Sequence, residues 1–576
     1  LYGGDPLAHL AFEKPLAAIN ARKDPHNSFF REIIRKNLLD NPHRLLSVIV
    51  ASSKKGDELQ QQTGRQAAEL SASFSQADKE RYRGLTLELK RQQSTPTSPE
   101  AMASLPRLAK TDLPPKEFEV PCVIGTAGGA PLYNHPIFTS GIVYFDIGFD
   151  LCGIPRELIP YLPLYLELLG RCGAAGRSYE QMATRKALAT GGIGASSFSR
   201  TVADTRNNRF FHAFMHGKCL LPRFNEMLGI LLDLFTQPDL SNGKQINDIL
   251  LEARNGLSAS IIGSGHQVAM LLASSRLSHS RRVEELMGGV SQLRFLDHLV
   301  RTGDTGDIIS QVKFLHGLMI NKNACVVSVT ADAPEALTGA IASFVERIPA
   351  AAALPQTALP ETIAPEKPSG IEISSAVNFT ARAWRLDAFS PEEYGLLFLL
   401  ARHLSTGYLW DKVRVEGGAY GGMSSVSIAH PVFACASYRD PNLAATLAHF
   451  EKGLLSVAKG VSNDALDQSV IGAIGSIDRP KPPHSRGFGE TIDRLCGYTP
   501  EARLRLREAV LSATPDKLRN AAQKILDTKE TAVAVLGSAA AFDGAEKEGV
   551  KFEREPLLNT SPPAPEGSAL NATFGG

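Results

Sequence analysis

Cysteine is sparse and scattered in this chain. Cys122, Cys152, Cys172, Cys219, Cys325, Cys435 and Cys496 are odd in number and never form C-x-x-C. Neither a disulfide framework nor a zinc ribbon is indicated, and a reducing interior compartment fits best. Long apolar runs are missing as well: none reaches the roughly 18 residues that a membrane-spanning helix needs. Nor is there a charge excess, since 61 basic residues face 60 acidic ones for a net charge of +1. That balance gives no support for nucleic-acid binding or for electrostatic adhesion to a membrane, and neither partner is expected. Glycines gather at Gly125, Gly128 and Gly129 and again at Gly191, Gly192 and Gly194. Neither cluster leads into the Gly-Lys-Ser/Thr of a nucleotide site, so both read as turns. The chain starts at Leu1 rather than Met. Its first residues are not a signal or transit peptide, and an internal start or a processed fragment is the expectation.

What is present is an ordinary globular composition, 43% apolar and 21% charged over 576 residues, long enough for about three to four domains. Residues 1–52 read as helices and one strand. Phe29, Ile33, Ile34 and Leu38 mark a helical face, and Leu45-Leu46-Ser47-Val48-Ile49-Val50 is a β-type run. This portion cannot bury itself and is expected to end a domain whose remainder lies upstream. Residues 53–115 are polar and break at Ser73-Phe74-Ser75-Gln76, which predicts a helical hairpin linker, with Pro96, Pro99, Pro106, Pro114 and Pro115 at its exit.

A third domain is expected over 116–349. Val143, Phe145, Ile147 and Phe149 alternate with Ile142, Tyr144, Asp146 and Gly148 as a strand, and a helix follows near 160–170. Residues 350–370, with Pro355, Pro360, Pro365 and Pro368, read as a linker. A fourth domain over 371–576 repeats the plan of strands then helices, opening one helix with Ser390-Pro391-Glu392-Glu393, an N-cap, an N1 proline and an N3 glutamate. The fold class expected is α+β.

One segment carries chemistry. Lys412-Val413-Arg414-Val415-Glu416-Gly417-Gly418-Ala419-Tyr420-Gly421-Gly422 reads as a Gly-punctuated strand and turn presenting a guanidinium and a phenol six residues apart. Arg414 can donate a fork of hydrogen bonds to carbonyls, and Tyr420 can donate one to a developing oxyanion. On chemistry alone, a hairpin with a decorative Arg and Tyr is the favoured reading, because a lone Arg and Tyr are common. His403 and His430 flank the segment as lesser candidates for substrate contact.

The stretch Leu409–Gly421 closely resembles the Arg/Tyr motif of the presequence protease family, peptide-degrading zinc enzymes of the pitrilysin, or inverzincin, group. Leu1-Tyr2-Gly3-Gly4-Asp5-Pro6, Asn41-Pro42-His43-Arg44 and Ser437-Tyr438-Arg439-Asp440-Pro441-Asn442 also resemble family signatures, in the same order. The resemblance implies two similar domains, each a mainly antiparallel sheet covered by helices. It implies a role for Arg414 in binding substrate carbonyls and for Tyr420 in the transition state. Gly417 and Gly418 would support substrate binding by keeping that strand free of bulk.

The group's zinc signature is H-x-x-E-H, and none of the 14 histidines supplies it. The helix near 160–170, whose counterpart in the family's catalytic domain carries the signature, contains no His. His212-Ala213-Phe214-Met215-His216 has the outer spacing with Met in place of Glu. On a strand those two histidines stand about 13 Å apart, too far to chelate one ion.

No metal ligand is therefore expected in this chain. The implied zinc would be held by an N-terminal catalytic half, the implied partner, with short unstructured peptides as substrates. The bacterial cytoplasm is the first expectation for compartment, with the mitochondrial or plastid matrix as the alternative. Rival readings are a non-catalytic scaffold of the same superfamily and an insulin-degrading type of oligopeptidase.

Overall fold

The computed structural model describes residues 3–558 apart from 23–27, 51, 53, 96, 204, 358–361 and 363–366. Leu1 and Tyr2 of the first signature, and Pro96, Pro360 and Pro365 of the two linkers, lie outside the described residues. The chain divides into two units, 1–106 and 107–576.

The first unit is helical. Two 19-residue helices, Lys55–Ser73 and Gln76–Ser94, fill the segment expected to be a hairpin linker and are separated by Phe74 and Ser75. Ser75 caps the second by accepting from the Asp78 N–H at 3.1 Å, while its own N–H donates to the Asp78 carboxylate. The strand predicted over 45–50 is not formed. Leu45, Leu46, Val48, Ile49 and Val50 are 75–93% exposed and lie in no ladder. The run has β-type composition, but a strand needs a neighbour for its backbone groups, and no described segment of this unit supplies one.

In the second unit the strands are β1 (Val123–Ala127), β2 (Ala130–Pro136), β3 (Ile142–Asp150), β4 (Gly173–Ala174), β5 (Ile193–Val202), β6 (Thr205–Leu220), β7 (Pro238–Asp239), β8 (Cys325–Ala331), β9 (Ser369–Glu372), β10 (Phe379–Arg385), β11 (Gly421–Ser427), β12 (Val432–Tyr438), β13 (Thr531–Gly537) and β14 (Glu553–Pro556). The first sheet runs β1-β2-β8-β3-β6-β5 and the second β11-β12-β10-β13-β9-β14. Both are mainly antiparallel; the exceptions are β2 with β8, and β9 with β13 and β14. Residues 107–115 belong with this unit, where the Arg507 guanidinium donates to the Pro114 carbonyl at 2.6 Å.

The alternation read in β3 is real. Val143, Phe145, Ile147 and Phe149 face the first core with the helices Leu162–Arg171 and Phe224–Thr236. In the second sheet, Trp384, Phe433, Cys435 and Val535 face a core formed with the helices Tyr394–Thr406 and Ala444–Lys459. Burying these faces is the main stabilising contribution.

The opposite sheet faces are covered by exchange. The helix Gly265–Ser275 lies on the second sheet, against Ala381, Ala383, Ala434, Ala436 and Ala534, whose small side chains admit it. In return, the helix Pro483–Leu495 lies on the first sheet against Phe210, Phe214 and Val326. Thr491 is hydrogen-bonded there to His135 at 2.7 Å and to Ser328 at 2.9 Å.

Candidate functional site

The Arg/Tyr segment begins where the helix Tyr394–Thr406 ends. Residues Trp410–Glu416 form wide π-type helical turns, not the strand read from the sequence. Leu409, Val413 and Ala419 are buried and pin the segment to the second core, so an apolar spacing of helical type overrode the glycine signal. Two backbone bonds close the turn, from the Gly418 N–H to Arg414 and from the Ala419 N–H to Val413. A Cβ at Gly417 would stand 2.6 Å from the Val413 carbonyl oxygen, and Gly418 has φ +80°. These glycines therefore end the helix and reverse the chain. That is a different physical role from keeping a strand bare.

Arg414 is exposed, and its guanidinium lies over the Trp410 ring, 3.9 Å from the centroid. It makes no salt bridge among the described residues. Tyr420 sits just before the edge strand β11 and is 65% exposed. Its N–H donates to the Tyr438 carbonyl at 2.9 Å, and its ring meets Tyr438 edge-on at 6.3 Å.

The Ser437–Asn442 signature supplies the support for this arrangement. Asp440, fully buried, accepts from the Asn442 N–H at 2.8 Å and from the Thr446 hydroxyl at 2.7 Å. Burial pushes its carboxyl above the ordinary range, against those two bonds. Asn442 in turn donates to the Gly417 carbonyl at 2.7 Å.

Arg439 is a residue the sequence reading passed over. Its guanidinium lies 5.6 Å from the Tyr420 ring centroid and 5.5 Å from that of Tyr438, on a backbone with φ +48°. Its position inside a recognised signature was the available signal. Of the two flanking histidines, His430 is buried and His403 half-buried. His430 is 6% exposed and bonded to Ser280 at 2.8 Å, and His403 is bonded to Ser469 at 2.9 Å. Burial lowers both below the usual imidazole range.

Among the described residues, the donors of a catalytic zinc are not brought together on the helix Leu162–Arg171 or on β6. The helix Leu162–Arg171 presents no imidazole, and Glu167 on it is paired with Arg171 at 3.1 Å. Phe214 stands between His212 and His216, about 6 Å from each ring. Among the described residues one group of three metal-capable side chains exists, Asp146, His216 and His484. It joins two strands and a helix start, with no i,i+4 histidine pair. Burial works to raise the Asp146 carboxyl, yet hydrogen bonds from His216 and His484 outweigh it and hold it low. His484, read as part of a loop between helices, lies in the first turn of Pro483–Leu495.

Two six-stranded, mainly antiparallel sheets that exchange covering helices, with an exposed Arg/Tyr turn on one of them, define an M16-peptidase type of half-molecule. A peptidase M16 inactive domain from Pseudomonas fluorescens superposes with a TM-score of 0.53 at 16% identity, covering 73% of this chain and 98% of that one. At that identity the likeness speaks for the fold alone. The model of the region associated with M16 peptidases of subfamily C matches residues 49–299, and the PreP C-terminal domain model matches 372–538.

Presequence protease 1, chloroplastic/mitochondrial, of Arabidopsis thaliana is 28% identical over 564 residues, covering 96% of this chain and 52% of that protein. Protein HypA of Clostridium perfringens is 25% identical, covering 93% and 55%. The chain thus spans about half the length of the curated relatives it matches. It belongs to the pitrilysin family of peptidases and corresponds to the C-terminal half of a presequence protease-like member.

Proposed function

We propose that the chain is the C-terminal half of a zinc metalloendopeptidase that degrades short unstructured peptides, of the presequence class, in a closed chamber. Arg414 binds substrate carbonyls, Tyr420 donates its hydroxyl to the oxyanion of the tetrahedral intermediate, and Gly417 and Gly418 set the turn that presents them. The observation that carries this reading is the posture of the pair. Both side chains are exposed on a turn whose backbone is tied down by buried neighbours and by Asn442.

The partner in this reading is an N-terminal half that holds zinc, which supplies an activated water when bound. The exposed run Leu45–Val50 supports it, since contiguous apolar surface of that kind marks an interaction face. The substrate class rests on the name of the Arabidopsis thaliana relative. The compartment assigned is a reducing interior, in keeping with seven free cysteines, six of them buried.

Reconstitution tests this. The chain alone is expected to show no chelator-sensitive hydrolysis of an unstructured peptide, and adding the N-terminal half is expected to restore it. In the reconstituted enzyme, Tyr420→Phe is expected to lower turnover by about a hundredfold or more, with folding and zinc content unchanged. A scaffold reading expects near-normal turnover instead. Retention of more than about half of wild-type turnover would remove the catalytic role and leave the family assignment standing.

A further inference from the structure

The unused chemistry of this molecule is concentrated where the helix Pro483–Leu495 meets the first sheet. His216 Nδ1 lies 2.7 Å from Asp146 Oδ1, and His484 Nε2 lies 3.0 Å from the same oxygen. The three candidate ligand atoms all fall within 4.8 Å of one another. Asp146 has no solvent exposure, and its second oxygen, Oδ2, is buried without a hydrogen-bond partner. A fully buried carboxylate with one oxygen unpaired is costly, and a cation bound to its other oxygen offsets the cost of burying the charge.

We propose that Asp146, His216 and His484 form a zinc-class divalent-metal site that fastens the helix Pro483–Leu495 to the first sheet. Two imidazole nitrogens and one carboxylate make a borderline donor set of the kind zinc takes. Bonds of about 2.0–2.2 Å would separate the ligand atoms by about 3.4 Å, so Asp146 Oδ1 would withdraw by about half an ångström from each nitrogen, while the two nitrogens, within 4.8 Å of one another, would settle at the same spacing. Each ring already turns one nitrogen toward the carboxylate. His216 Nε2 lies 2.5 Å from the Ser196 hydroxyl, which can accept from Nε2–H when Nδ1 binds the ion and donate to Nε2 when it does not. His484 is stacked between Tyr144 and Phe488, at 5.1 and 5.7 Å. The side chains of His216 and His484 are 22% and 31% exposed, enough for an ion and a fourth, water ligand to reach the site.

The test uses the full chain, purified without a histidine tag and stripped with chelator, then titrated with Co2+ by visible absorption and with Zn2+ by calorimetry. One equivalent is expected to bind, and Zn2+ is expected to raise the thermal midpoint, because the ion binds the folded chain preferentially. His484→Gln keeps a hydrogen-bond donor for Asp146 but not the imidazole. It is expected to leave the metal-free midpoint near wild type, weaken binding by about a hundredfold or more and abolish the Zn2+-dependent shift. His298→Ala, at an exposed histidine elsewhere, is expected to change neither. The proposal is overturned if wild type and His484→Gln take up metal alike. It is equally overturned if the wild-type chain binds no stoichiometric ion at micromolar concentration, which would leave a purely hydrogen-bonded cluster.

Discussion

The guanidinium of Arg414 packs on the face of Trp410, four residues earlier in the same wide helical turns, at 3.9 Å from the ring centroid. An exposed cation–π contact is worth about 0.5–1 kcal/mol. Its use here is to restrict a long side chain that has no ion-pair partner among the described residues, leaving its fork of donors directed outward. In the reconstituted enzyme, Trp410→Ala is therefore expected to raise KM for an unstructured peptide about two- to fivefold with little change in kcat. Arg414→Ala is expected to damage both constants. Arg414→Lys is expected to rescue poorly, because a point charge cannot reproduce two parallel donors. Steady-state kinetics on one peptide separates these cases. If Trp410→Ala leaves KM untouched, the ring does not pose Arg414.

The two exchanged helices come so close to their sheets that each uses a glycine at the contact. A Cβ added at Gly487 would stand 2.0 Å from the Thr330 hydroxyl oxygen, and one at Gly265 would stand 2.4 Å from the Phe379 ring. Neither neighbour is a flexible chain end, so the helix itself must lift. Gly487→Ala and Gly265→Ala are each expected to destabilise the chain by about 1–3 kcal/mol through overpacking. Gly170→Ala, where a Cβ meets open space, is the matched control and is expected to be neutral or slightly stabilising. Denaturant unfolding followed by circular dichroism measures all three. Equal midpoints would mean that the helices are not held at these points.

Much of this architecture was legible because it rests on local periodicity. The alternation in β3, the capping residue at Ser390, and the break between the two polar helices are one-dimensional signals. The errors have separate causes. Residues 45–50 have strand composition, but strand formation depends on a partner that composition cannot reveal. At 410–420 the glycines suggested a hairpin, whereas the buried Leu409, Val413 and Ala419 drive a helical turn that the glycines merely end. The Asp146, His216 and His484 cluster was invisible for a third reason. Its members are separated by up to 338 residues and meet only because one domain's helix covers the other's sheet.

Acid sensitivity follows from the same seam. His212 lies on β6 with its ring stacked on Phe210 at 4.2 Å, and its Nδ1 is buried without a hydrogen-bond partner. Burial disfavours the imidazolium and pushes the group down to about 4, only partly opposed by Asp150. In the unfolded chain the same imidazole titrates near 6.5. Between those values the unfolded state binds the extra proton, so stability rises with pH. The contribution is complete above about 6.5 and is lost as pH falls through about 4. From pH 7 to pH 5 this one group is expected to cost roughly 2 kcal/mol of folding stability. His212→Phe keeps a flat ring between Phe210 and Phe214 and removes the titrating nitrogen. It is expected to lose correspondingly less stability over that interval, while near pH 7 the two proteins should differ little. Denaturant melts at pH 7, 6 and 5 give the comparison; carboxylates contribute mainly below that range and cancel between the two proteins. Parallel pH profiles for wild type and His212→Phe would assign the acid sensitivity to other buried groups, of which His135 and His316, both lowered by burial, are the next to test.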